Sequence, residues 1–442
     1  MSWKLVKLGG VISQRKEFIT IDNSVEYKRC RVQVNRKGVV LRDVVKGIFI
    51  NTKKQQVCRE GDFLVAEIDA KVGGYGFVGK DLVGAIVSSH YFLFEVTESK
   101  MLKSYLAWLI KTEIIQEQIN SKGSTNYAAI RPSNVLNFEI PLPSIEEQEE
   151  LVERLNKIDA EYTVLQRELR NQETCLQRLR QSILQEAIRG KLTKQDLIDE
   201  PAIKLLERIK AEKQKVLKEG KRKSEKELLP ITKDEIPFEL PRGWTWCRLA
   251  AVIELISGQH VEAADWNDKN DGYPYLTGPS DFGETNPIFA RWTKKPKVFA
   301  MTDDILITVK GSGVGKLNLL HRDKVAIGRQ LMAIRAKYLE REFVFLFLDG
   351  NFHVFQNDKA GIAIPGISRE DILEKVFPLP PLPEQRRIVD KVRQLMQIIS
   401  QLEQEVQQGQ TQAQQLLRAV LKEAFSNRQQ AQTENKLIII AD

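Results

Sequence analysis

Residues 122–152 read KGSTNYAAIRPSNVLNFEIPLPSIEEQEELV, and residues 359–389 read KAGIAIPGISREDILEKVFPLPPLPEQRRIV. The offset between them is 237 residues, and it holds without a gap from Lys122 to Ile188 and from Lys359 to Phe425. Along it Ile130 matches Ile367, Leu136 matches Leu373, and Pro141-Leu142-Pro143 matches Pro378-Leu379-Pro380. Glu147-Gln148 matches Glu384-Gln385, and Leu184, Glu186 and Ala187 match Leu421, Glu423 and Ala424. The starts of the halves correspond at an offset of 241, WKLVKLGGV from Trp3 against WTWCRLAAV from Trp244. Between them Gly61-Asp62-Phe63-Leu64 resembles Asp303-Asp304-Ile305-Leu306. Self-similarity at a fixed period marks a repeated structural plan. The chain is therefore built twice, with divergence in the two middles.

Each copy closes with a long helix. Apolar residues fall at Leu151, Leu155, Ile158, Tyr162, Leu165, Leu169, Leu176, Leu179 and Ile183. The steps of four and three form a heptad seam. The second copy repeats it with Ile388, Val392, Leu395, Ile399, Leu402, Val406, Ala413, Leu416 and Val420. Gln172 and Gly409 interrupt the two seams at one equivalent place. Ser144-Ile145-Glu146-Glu147 reads as a capping box, and Pro381-Leu382-Pro383-Glu384 puts proline in the first turn. About 45 residues at 1.5 Å each give a rod of roughly 65–70 Å. Two rods with matching seams pair most simply with each other. A further helical stretch, PAIKLLERIKAEKQKVLKEG, and a basic run, Lys221-Arg222-Lys223, follow the first rod past Gly190.

The 442 residues carry 67 Lys+Arg against 59 Asp+Glu, a formal charge of +8. Residues 1–143 hold +7 of that surplus, residues 191–226 hold +5, and residues 237–381 are balanced. A modest positive charge favours an anionic partner and says nothing of fold. Cys30, Cys58, Cys175 and Cys247 lie far apart without metal or disulfide spacing. A signal sequence and an apolar run of about 18 residues are both lacking, so a reduced cytoplasmic protein is expected. Strands are expected at Gly47–Asn51, Phe63–Ile68, Tyr91–Val96, Ile305–Val309 and Gln330–Ile334. Apolar helical segments are expected near Tyr105–Ile119 and Glu342–Phe355. The fold class is α+β: two mixed α/β domains, each followed by a long helix.

Motifs with a catalytic look give way to plainer readings. Gly74-x-Gly76-x-x-Gly79-Lys80 matches a dinucleotide fingerprint, but a strand-like run follows where a helix is required. Asp62, Asp69 and Lys71 have the spacing of a metal-dependent nuclease, yet the second copy keeps Asp304 and Lys310 and replaces the other carboxylate by Thr308. Asn286-Pro287-Ile288-Phe289 is one residue from an adenine-methyltransferase site, without a methyl-donor loop upstream. His90, His260, His321 and His353 are scattered. Binding or scaffolding is favoured over catalysis.

Two variable domains, each opening W-x-x-[VC]-[KR]-L and ending in [IF]PLP-x-x-x-EQ plus a long helix, resemble the specificity subunit of type I restriction–modification enzymes. The resemblance runs from about Trp3 to about Phe425 and includes the bridging Gly190-Lys191-Leu192. It implies target-recognition domains at 1–143 and 237–381, and a central helical region at 144–219. It also implies a linker at 220–236, a second coiled-coil helix at 382–428 and a tail at 429–442. The two helices are implied to form an antiparallel coiled coil that measures the spacer of a bipartite DNA target. Two methyltransferase subunits and ATP-dependent restriction subunits would dock on this chain. S-adenosylmethionine, ATP and Mg²⁺ would sit on those partners, with no cofactor, metal or catalytic residue here. Candidate DNA-contacting residues lie in the divergent middles: Lys28, Arg29, Arg31, Arg36, Lys37, Lys53, Lys54, Lys71, Tyr75 and Lys80. In the second domain they are Asn267, Lys269, Asn270, Tyr273, Arg291, Lys294, Lys295, Lys310, Ser312 and Lys316. The alternatives are a specificity subunit for a fused nuclease–methyltransferase, and a coiled-coil adaptor that binds proteins and not DNA.

Overall fold

The computed structural model describes residues 3–120, 129–218, 229–283, 286–311, 313–352 and 366–426. Ser312, His353, linker residues 220–228 and the tail 429–442 lie outside the described residues. The chain divides into two compact units, Met1–Asn171 with Val406–Asp442, and Gln172–Glu405.

The first unit contains strands β1 (Lys4–Lys7), β2 (Ile12–Arg15), β3 (Phe18–Thr20), β4 (Glu26–Gln33), β5 (Gly38–Lys46) and β6 (Lys54–Val57). They are followed by β7 (Phe63–Ala66), β8 (Tyr75–Phe77), β9 (Ile86–Val87), β10 (Tyr91–Val96) and β11 (Glu139–Leu142). Three sheets result, ordered β1-β11, β2-β10-β7-β8 and β3-β6-β9-β4-β5. All four β7 residues are buried, as an apolar run with a partner strand on each side requires. In the second unit come β12 (Thr245–Arg248), β13 (Glu254–Ser257), β14 (Trp266–Asn267), β15 (Tyr273–Leu276), β16 (Trp292–Thr293) and β17 (Phe299–Ala300). β18 (Ile305–Thr308), β19 (Leu317–Leu319), β20 (Val325–Ile327), β21 (Leu331–Arg335) and β22 (Val376–Leu379) complete it. Its sheets are β12-β22, β13-β21-β18-β19 and β14-β16-β15-β20-β17. The two- and four-stranded sheets repeat in order and register: Phe94 pairs with Phe63 as Ile334 pairs with Ile305. The five-stranded sheets are wired differently, which is where the sequences diverge.

The long helices run Ile145–Ile188 and Leu382–Phe425, 44 residues each, and keep the 237-residue offset at both ends. At the first, Ser144 and Glu147 form the expected capping box, with Ser144 N 2.9 Å from the Glu147 carboxylate and Glu147 N 3.3 Å from Ser144 Oγ. The Glu-Gln pair has a structural task in each copy. Gln148 is fully buried; its Oε1 accepts from Leu102 N at 2.8 Å and its Nε2 donates to Pro143 O at 3.0 Å. Gln385 repeats this with Glu340 N at 2.9 Å and Pro380 O at 3.0 Å. Leu102 and Glu340 stand just before helices Lys103–Leu109 and Arg341–Phe352. The glutamine therefore caps a helix start of the domain. Glu147 accepts from the Trp3 indole at 3.4 Å, and Glu384 from the Trp244 indole at 2.9 Å. The Trp and Glu-Gln motifs of each copy are two ends of one contact.

Each unit contains one end of each long helix. In the first, Val152 and Leu155 share a core with Phe63, Phe94, Tyr105, Leu421 and Phe425, and the Tyr105 and Phe425 rings lie 5.5 Å apart. In the second, Ile183, Ala187 and Ile188 share a core with Trp244, Phe343, Phe377, Ile388, Val392 and Ile399. The start of one helix thus lies with the end of the other in both units, an antiparallel arrangement. Within the first unit Gly409 faces Leu169, whose Cδ2 would be 3.4 Å from an added Cβ. Within the second, Arg180 pairs with Glu403 at 3.1 Å.

Some expectations need correction. Leu165, Leu179, Leu402 and Leu416 of the seam are exposed, while Leu184 and Leu421, outside the heptad pattern, are buried. Two helices cover only a narrow stripe, and the domain cores take over at the ends. Gly47–Phe49 is a 3₁₀ turn, not a strand, because Gly47 packs against the Asp22 backbone where a Cβ cannot fit. The Tyr105–Ile119 segment is two helices, Lys103–Leu109 and Glu113–Asn120. The first rod stops at Ile188, with Gly190 at φ +69°, and helix resumes at Ala202–Lys218. No described helix is long and apolar enough to cross a membrane.

Candidate nucleic-acid interface

The glycine motif of the first middle straddles β8 and does not open onto a long helix. An added Cβ on Gly76 would meet Gly38 Cα at 2.7 Å, so that glycine permits close approach of two backbones. Asp62 and Asp304 are buried and serve the fold. Asp62 takes Arg15 Nε at 3.1 Å and Arg59 N at 2.7 Å. Asp304 takes Arg335 Nε at 2.8 Å and Met301 N at 2.8 Å. Both carboxylates close a turn before the central strand, with an arginine from a neighbouring strand. The ion pair with Asp304 holds the Arg335 guanidinium above its ordinary pKa. Among the described residues no cluster of three His, Cys, Asp or Glu could hold a metal ion.

In the first unit the structure divides the candidate residues. Lys28 and Arg31 are exposed on β4, and Lys37, Lys54 and Lys80 are exposed beside it, with Lys54 4.9 Å from the Phe18 ring centroid. Arg29 is bound by both guanidinium edges to Asp43 at 2.7 Å, which lowers the Asp43 pKa. Arg36 is tied to Thr112 O at 2.7 Å and Glu113 at 2.6 Å. Lys53 donates to Asn23 Oδ1 and Gly47 O, both at 2.7 Å. Lys71 is half-buried, and its carbonyl accepts from Gln116 at 2.6 Å. Tyr75 is a core side chain, 1% exposed, and burial pushes its hydroxyl up to about 12. Strand alternation turns it inward, so it is withdrawn as a surface reader. Arg42 and Lys46 were not among the candidates, yet both are exposed on β5. Their signal was the alternation of β5, hidden by a register shift in its partner between Arg29 and Cys30.

In the second unit Asn267 shapes its own turn, its Oδ1 accepting from Lys269 N at 3.0 Å and Asp271 N at 3.2 Å. Lys269, Asn270 and Tyr273 are exposed around that turn. Arg291 is held by Asp281 at 2.8 Å and lies 5.4 Å from the Trp266 ring centroid. Lys294 and Lys295 are exposed and paired at 2.6 Å with Asp271 and Asp265. Such surface pairs contribute little and leave the cations available to a stronger anion. Lys310 is exposed and Lys316 half-buried.

Comparison with known proteins decides the family. The family described as "Type I restriction modification DNA specificity domain" matches residues 2–172 and 241–408. The chain belongs to that family. The specificity-domain chain is 30% identical to the type I restriction enzyme EcoAI specificity subunit of Escherichia coli over 271 residues, 58% of this chain and 45% of that one. It is 24% identical to the EcoBI specificity subunit of Escherichia coli over 455 residues, 98% of this chain and 87% of that one. It spans less than half the length of the EcoAI and EcoEI subunits, covering 45% and 43% of them. Among solved structures, a chain from a study of complex assembly and conformational transition in the type I R-M system matches with a TM-score of 0.65 and 25% identity. That match covers 96% of this chain and 97% of the other. The HsdS subunit of Thermoanaerobacter tengcongensis has the same fold, at a TM-score of 0.57 and 24% identity over 96% of each chain. Both specificity domains run from a Trp-bearing strand to a long helix, so the duplication seen in the sequence is the family's unit taken twice.

Proposed function

We propose that this chain is the DNA sequence-specificity subunit of a type I restriction–modification complex, working in the cytoplasm. One observation carries the reading: the specificity domain matches twice, at 2–172 and 241–408, in the two halves of one chain. Each domain reads half of a split, asymmetric duplex sequence, and the paired helices set the distance between the halves. Phosphate contacts from lysine and arginine position each domain, and base-edge contacts specify sequence. The chain docks two adenine-methyltransferase subunits on its helical region, and restriction subunits join them. S-adenosylmethionine, ATP and Mg²⁺ are held by those partners. The charge distribution is compatible with this role: +7 over residues 1–143 against zero over 237–381, so the second domain relies on local basic loops. Affinity purification of the chain from its host, followed by mass spectrometry, recovers an adenine methyltransferase. Binding of the assembled complex to duplex DNA weakens linearly on a log–log plot against salt. Recovery of other proteins only, with no salt-dependent DNA binding, makes the chain a coiled-coil adaptor and overturns the proposal.

A further inference from the structure

Hairpin β4–β5 concentrates the charge of the first unit. Residues 26–46 contain seven basic and two acidic residues, so this stretch supplies +5 of the +7 held by residues 1–143. Pairing register separates its two faces, because directly opposed residues point the same way. Tyr27 opposes Val45 and Val32 opposes Val39, and these line the buried face. Lys28 opposes Val44, Glu26 opposes Lys46, and Arg31 opposes Val40. On this second face Lys28, Arg31, Val44 and Lys46 are exposed. Arg42 is exposed at the register shift between Arg29 and Cys30, and Leu41 beside it is about half exposed. β5 closes its sheet order as an edge strand.

We infer that the exposed face of the β4–β5 hairpin is the DNA-reading ribbon of the first domain, seated in the major groove. This rests on the functional reading above and deepens it. A two-stranded ribbon fits a major groove about 12 Å wide. A bulge raises the right-handed twist of a ribbon, as following a groove requires. Lys28, Arg31, Arg42 and Lys46 complement phosphates and guanine edges. Val44 and Leu41 match thymine methyl groups, and Glu26 can accept from a cytosine amino group. Pairing of the β5 edge with another protein strand is the competing use. The bulge and the lysines oppose it, since both are devices that blunt an edge.

The test uses the full chain in its complex. The probes are a 40-base-pair duplex of mixed sequence, followed by selection from duplexes with a randomised core. Triple substitution Lys28→Gln, Arg31→Gln, Lys46→Gln lowers affinity for the mixed duplex at least tenfold and reduces the log–log salt slope by about 2–3, at about 0.9 per phosphate contact. A control triple away from the hairpin, Lys4→Gln, Lys7→Gln, Lys111→Gln, changes affinity less than threefold. In the selection, Arg31→Ala and Val44→Ala each alter the preference in one half-site and leave the other unchanged. Circular dichroism and assembly with partners verify that the variants are folded. Wild-type binding by the hairpin triple, or equal loss in the control triple, overturns the inference while leaving the functional reading standing. Association of free chains through β5, with wild-type DNA binding by the triple, assigns the edge to protein pairing and also overturns it. Failure of the unmodified complex to bind any duplex removes both.

Discussion

Replacing Gln385 by leucine tests why the Glu-Gln pair recurs. The side chain is fully buried and bridges Glu340 N at 2.9 Å and Pro380 O at 3.0 Å. Leucine fills a comparable space and removes both bonds, leaving one buried donor and one acceptor without this partner. Each such loss costs about 1–3 kcal/mol, giving about 2–5 kcal/mol in all after some relaxation. For a folding unit of roughly 150–250 residues, 1 kcal/mol moves the melting point by about 2–4 °C. Differential scanning calorimetry of the full chain should therefore show a transition lowered by at least about 5 °C. Gln148→Leu should do the same through Leu102 N and Pro143 O. Gln401→Leu, on the exposed side of the second long helix, provides the reference, with a change below about 2 °C. Equal melting points for Gln385→Leu and Gln401→Leu would refute the capping role and reduce the motif to a helix start.

Four residues inserted after Gln172, with four more before Gly409, lengthen both helices by about 6 Å, somewhat under two base-pair steps. Methylome sequencing should then show a spacer one or two base pairs longer between unchanged half-sites, and an unchanged spacer refutes the ruler. Leu169→Asp buries a charge against Gly409 and should destabilise the chain by about 3–5 kcal/mol in denaturant titration, whereas Leu165→Asp, at an exposed position, should cost under about 1 kcal/mol. A loss at Leu165 matching that at Leu169 would show that the exposed face is covered in solution. Burial raises the Glu384 pKa despite the Trp244 and Gln195 donors. Its contribution to stability is therefore present at acid pH and declines as pH rises through the raised value. Glu384→Gln should accordingly compare more favourably with wild type at pH 7 than at pH 4, and the opposite trend in melting temperature would refute the burial argument.

Much of the architecture was legible because it is written twice. The 237-residue offset found from Pro-Leu-Pro and Glu-Gln predicted two helices, and both run 44 residues in step. Heptad steps located the seam but could not tell which members a two-helix stripe leaves bare, as Leu165 and Leu416 show. That depends on the width of the neighbouring surface. Indoles reaching the glutamates 140 or more residues away, as Trp244 does to Glu384, follow from tertiary packing alone. The candidate readers suffered most. Arg29, Arg36 and Lys53 are cations whose partners come from other strands and loops, and composition cannot separate them from Lys28 or Arg31. Tyr75 followed glycine in a loop-like run, and only its pairing opposite Val65 turns it inward.

Because each unit takes the start of one long helix and the end of the other, neither half of the chain is self-sufficient. A fragment ending within the connector would retain the Ile183–Ile188 surface without the core that receives it, and a first domain without Leu421 and Phe425. The equivalent residues of the two copies are apolar, Leu184 for Leu421 and Ile188 for Phe425. Two such fragments could therefore exchange helix ends and satisfy each other by two-fold symmetry. The full-length chain is, in this sense, a homodimer whose subunits have been joined covalently, and the joining is what allowed its two halves to differ.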